Sequence, residues 1–193
     1  MRKILSYVVV LTMMVCIVVG CSKRGDDKWS DENRKELRKE LDTYREMVYL
    51  DNLNNMEFDD FSYGVVDAIE VDYPIYTTFI EMPGRGDTLE VYVVSTIVEE
   101  LRADAHNMRN IYPYPQLVAE GVLPSGLSNR AQRAFYECFA RKVDGYFPSV
   151  DAFFNAILAD TLPTSTMSQF QRDCASTLFD WDVEVDETII LSD

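Results

Sequence analysis

His106 is the one histidine in a chain of 193 residues, so any histidine-dependent nucleophile system would have to be built on it. Such a system needs a Ser or Cys within hydrogen-bond reach of the imidazole and a third group to orient the ring. No G-x-S-x-G elbow, S-x-x-K or H-E-x-x-H run accompanies it. The helical spacing of Ile97, Leu101 and Met108 leaves His106 off their shared face, as a surface histidine in water. Carboxylates are abundant, and two of them at the right separation can hydrolyse a glycoside. With 25 acids in residues 49–193, however, such a pair is expected by chance. Zinc needs several Cys or His ligands, which are lacking here. Calcium needs only oxygens, but no D-x-D-x-D-G loop occurs. Asp180, Asp182, Glu184 and Asp186 alternate with apolar residues. On a strand they would stand about 6.6 Å apart, too spread for one ion. No catalytic residue, metal site or cofactor is therefore assigned.

Two further clusters read as structural. Arg130, Arg133, Glu137 and Arg141 share one side of a helix by spacing. They could hold a carboxylate or phosphate, but pairing with surplus acids of the same body is the expected role. Arg85, Gly86 and Asp87 spell an adhesion tripeptide. Gly and Asp are also what a tight loop requires, and turn chemistry accounts for them.

Charge divides the chain. Residues 22–48 hold eight basic and eight acidic side chains, whereas residues 49–193 hold 25 acidic and eight basic, a balance of −17. Such a body repels phosphate backbones and anionic headgroups, so nucleic acid is excluded as a partner and the body is expected to stand off a bilayer. A basic partner would be steered towards it.

The amino terminus has the layout of an export signal: Arg2 and Lys3, then an apolar run from Ile4 to Val19 that is short for a membrane span. It ends in Val18, Val19, Gly20 and Cys21. This stretch resembles the lipobox of bacterial lipoproteins, a resemblance confined to the first tenth of the chain. It implies removal of residues 1–20, a thioether from the Cys21 thiol to diacylglycerol, and further acylation of the new amine with chains of the palmitate type. Two or more acyl chains make a stable membrane anchor. Ser22 is not acidic. By likeness to enteric lipoproteins this directs the chain to the outer membrane, facing the periplasm. Residues 21–29 read as a flexible tether and 30–193 as one globular domain that begins with a projecting helix. Export also bears on Cys138 and Cys174. They either form a disulfide, worth about 4 kcal/mol for a loop of about 36 residues, or stay as two buried thiols.

The elements that would carry these residues are mixed. Ser30 caps a helix expected to run to about 55, with Leu37, Leu41, Tyr44 and Val48 on one face. Residues 57–72 suit helix or strand. Residues 73–82 and 89–95 are rich in β-branched and aromatic types, with the Pro83-to-Asp87 segment between them, which predicts a hairpin over 73–95. On it Leu89, Val91 and Val93 would share a face. Helical stripes follow at Ala131–Lys142, around Phe153 and Ile157, and at Phe170–Leu178, with Thr166 and Gln169 as a capping box. A period of two over 181–191 predicts a closing strand. The expected class is α+β, helix-rich, with a small antiparallel sheet from the hairpin and that strand.

The expected function is that of a lipid-anchored, non-enzymatic accessory, binding another envelope component that is itself basic. An envelope hydrolase using carboxylates is the second reading. It requires a pocket with convergent acids of raised pKa. An acidic inhibitor or immunity protein against a basic toxin or lysozyme-like enzyme is the third.

Overall fold

A computed structural model describes residues 28–181. Every regular element among them is a helix. In chain order these are α1 (Asp31–Glu40), α2 (Asn55–Asp72), α3 (Tyr76–Ile80), α4 (Arg85–Ala103), α5 (Tyr114–Ala119), α6 (Asn129–Tyr146), α7 (Val150–Leu158) and α8 (Thr164–Phe179). Short 3-10 turns cover Leu41–Tyr44 and Ala105–Asn110. Within the described range the chain forms two compact units, residues 28–42 with 59–92 and residues 43–58 with 93–181.

In the first unit Ser30 accepts the Asn33 amide and caps α1. Leu37 and Leu41 are buried, as are Phe61, Val65, Val66 and Ile69 of α2. Their spacing of four, one and three residues marks one helical stripe. The Trp29 indole donates to the Tyr73 carbonyl at 2.7 Å and meets the Tyr76 ring edge-on at 5.0 Å. Two bidentate pairs tie the elements, Arg34 to Glu70 and Arg85 to Glu40.

In the second unit α6 buries Phe135, Tyr136, Phe139 and Val143, α7 buries Phe153 and Phe154, and α8 buries Met167, Gln171, Cys174 and Ala175. Ser128 and Ser149 cap α6 and α7 by accepting the amides of Ala131 and Ala152. Asn54 and Glu57 form a reciprocal capping box at the start of α2.

The α+β expectation is overturned: among the described residues there is no strand and no sheet. Residues 73–95 hold α3 and most of α4 in place of a hairpin. The reason lies in which side chains are covered. Leu89, Val93 and Ile97 are buried at intervals of four, while Val91 is 62% exposed. A strand would have covered Val91 with its neighbours; a helix turns it outwards. Burial of that stripe outweighs the β preference of the valines. Gly84, with φ +72°, lies in the turn between α3 and α4, and Arg85, Gly86 and Asp87 form the first turn of α4.

The closing strand expected over 181–191 lies, beyond Trp181, outside the described residues. Asp180 is a left-handed cap that ends α8. The helix expected from 30 to 55 stops at Glu40 and is replaced by turns as far as Asn54. The proposed Thr166 box does not open α8. The helix starts after Pro163, whose fixed φ suits a helix start, and the Gln169 side chain donates to Asp173.

Candidate functional site

The chemistry-bearing side chains of the second unit gather where α4 ends. Asp104 leaves the helix in an extended conformation and accepts the His106 amide, capping the next 3-10 turn. Arg133 of α6 donates to both Asp104 oxygens, at 3.0 and 2.9 Å. These bonds hold the Asp104 carboxyl below its ordinary range, the His106 amide foremost. Asn107 donates to the Glu100 carbonyl at 2.8 Å and so ties the turn back onto α4.

The corner leaves a groove of about 210 Å³. Leu101, Ala105, Met108, Ala140, Val143, Val150 and Phe153 line it, and Arg102, Asp144 and Asp151 bring charge to it. Arg102 donates to Asp151. Asp144 makes no ion pair among the described residues. It is exposed and stands in the last turn of α6. A carboxylate there opposes the negative end of the helix dipole.

A separate polar pair lies elsewhere in the unit. The hydroxyl of fully buried Tyr49 donates to Glu100 Oε2 at 2.6 Å. Desolvation pushes the Glu100 carboxyl above its ordinary range and the nearby Glu57 charge adds to this, while the Tyr49 bond pulls the other way. Burial also pushes the Tyr49 phenol up. Arg109 holds Glu57 at 2.6 Å, and Asn52 donates to the Asn110 carbonyl at 2.9 Å. Glu100 does not line the groove.

His106 stands half-buried in the 3-10 turn, 5.5 Å edge-on from Tyr136, in contrast to the surface position expected from spacing. Among the described residues its Nδ1 is buried without a hydrogen-bond partner. Desolvation lowers its pKa, helped by the charges of Arg109 and Arg133.

Cys138 and Cys174 are joined, with an S–S distance of 2.07 Å and a Cα separation of 5.9 Å. Beside the bond, Lys142 donates to Asp173 at 3.0 Å and holds that carboxyl below its ordinary range. Arg133 of the basic cluster is committed to Asp104. Arg85 of the tripeptide is committed to Glu40. Cys21, Asp182, Glu184 and Asp186 lie outside the described residues. Among the described residues no three His, Cys, Asp or Glu side chains are placed to hold a metal ion, and no helix is long and apolar enough to cross a membrane.

The Tyr49–Glu100 pair and the groove carry no local sequence signal. Their members are brought together over separations such as the 51 residues from Tyr49 to Glu100. Comparison with protein-family models, with curated proteins and with solved structures finds no match to this chain.

Proposed function

We propose that this protein is a lipid-anchored envelope protein whose body is a non-enzymatic binding module for a basic envelope partner. One observation carries the reading. Of the eight cations in residues 49–193, Arg85, Arg102, Arg109, Arg133 and Lys142 are bonded to acids of the same chain. These internal pairs leave the balance of −17 over residues 49–193 in place, so the body keeps a strongly negative field. A field of that sign steers a basic protein in and turns nucleic acid away. The Cys138–Cys174 bond supports export, because such bonds persist in oxidising compartments. The lipobox residues Val18 to Cys21 support anchoring through Cys21, with Ser22 directing the chain to the periplasmic face of the outer membrane.

A hydrolase reading needs a raised-pKa acid facing a cleft. Glu100 is raised, but it is bonded to Tyr49 and set apart from the groove.

Crosslinking in the native host, followed by mass spectrometry, tests the proposal. A reproducible basic envelope protein that is lost as salt rises is the expected result. Absence of any partner, together with turnover of a glycan or peptide, overturns it. Cys21→Ser is expected to move the body to the soluble fraction. A variant that stays uncleaved in the membrane overturns the anchor.

A further inference from the structure

We infer that the groove between the end of α4, the 3-10 turn at Ala105–Asn110, α6 and α7 receives one bulky apolar side chain of the partner, flanked by a lysine or arginine that meets Asp144. This rests on the binding-module reading and names the point of contact. Seven of the nine lining residues are apolar, so the groove favours a group that leaves water. The groove measures about 210 Å³, against the roughly 150 Å³ of an engineered cavity that takes benzene. It therefore has room for one aromatic or branched side chain.

Charge chooses the flanking group. Arg102 and Asp144 are the charged residues of the lining, and Arg102 is already met by Asp151 from beside the groove. With Arg102 neutralised by Asp151, the carboxylate left over in the lining is Asp144. The body around it is strongly acidic. Asp144 also stands against the dipole of its own helix, whose last turn holds no basic residue, and it makes no ion pair among the described residues. A residue that breaks a local stability rule with no compensating contact is what a binding position looks like.

The test titrates three capped tripeptides, Lys-Phe-Lys, Lys-Ala-Lys and Glu-Phe-Glu, into the full chain 21–193 carrying Cys21→Ser, followed by amide chemical shifts. Lys-Phe-Lys is expected to move the amides of residues 101–108 and 140–153. Lys-Ala-Lys and Glu-Phe-Glu are expected to leave them in place. Asp144→Asn is expected to weaken Lys-Phe-Lys binding by about three- to fivefold, as for an exposed charge contact, while melting no lower than the parent. Ala140→Phe is expected to fill the groove and abolish the shifts. Should that variant misfold, Asp144→Asn still decides. Equal shifts with Glu-Phe-Glu, or none with Lys-Phe-Lys, overturn the inference. The host crosslinking experiment separates the two claims. A partner captured equally by the parent and by Asp144→Lys removes the groove and leaves the binding module standing, whereas no partner for the parent removes the module itself.

Discussion

The Tyr49 hydroxyl and Glu100 Oε2 meet at 2.6 Å, the phenol fully buried and the carboxyl half-buried. Burial raises the pKa of both groups, so the folded chain holds a proton at Glu100 more tightly than the unfolded chain does. Stability from this site is therefore complete below the ordinary glutamate pKa and declines as pH rises from there through the raised folded value. Glu100→Gln keeps an acceptor for Tyr49 and removes the titration. Urea unfolding at pH 7 is expected to find the variant at least as stable as the parent, with the difference shrinking below pH 4.5. A variant weaker than the parent at neutral pH would show that the ionised carboxylate stabilises the fold.

His106 has the opposite sign. Burial lowers its pKa, so the stability it contributes is present above the ordinary value of 6.5 and is lost as pH falls through the depressed folded value. His106→Phe keeps a ring against Tyr136 and leaves no imidazole to charge. The parent is expected to lose melting temperature relative to the variant between pH 7 and pH 5, and parallel curves would sink the idea.

Asp104 and Arg133 let the cap be weighed against the ion pair. The cap bond to the His106 amide is worth about 1 kcal/mol, whereas a half-exposed ion pair is worth about 0.5 kcal/mol. Asp104→Ala is thus expected to lower urea stability more than Arg133→Ala. Because Asp104→Ala removes both interactions, equal loss from the two variants would mean that the ion pair alone holds the turn.

Val91 and Val93 test the helix directly. Val93 is fully buried and Val91 is 62% exposed. Val93→Asp is expected to unfold the chain or cost several kcal/mol, and Val91→Asp to change stability by less than about 0.5 kcal/mol. Equal damage from the two would restore the hairpin.

The same two residues show what was legible in the sequence. Over 89–95 the β-branched types fit a strand, and the covering of Leu89, Val93 and Ile97 by other elements decides for a helix. Where caps and stripes agree, as at Ser128 with Phe135 and Phe139 or Ser149 with Phe153, residue types alone locate the helix. The groove was not legible, because Leu101, Ala140 and Phe153 are ordinary core residues until three elements bring them to one place. Nor was the unpaired state of Asp144, which depends on where Arg102, Arg133 and Lys142 find their acids.

The Cys138–Cys174 link also sets the covalent topology of the body. It closes a ring that contains the rest of α6 beyond Cys138, all of α7 and α8 as far as Cys174, and with them Ala140, Val143, Asp144, Val150 and Phe153 of the groove. A protease that nicks the turn at Phe147 and Pro148 opens this ring without releasing a fragment. The nicked protein would run as one species on a non-reducing gel and as two after reduction, and the groove-lining residues on either side of the cut would remain tethered to each other.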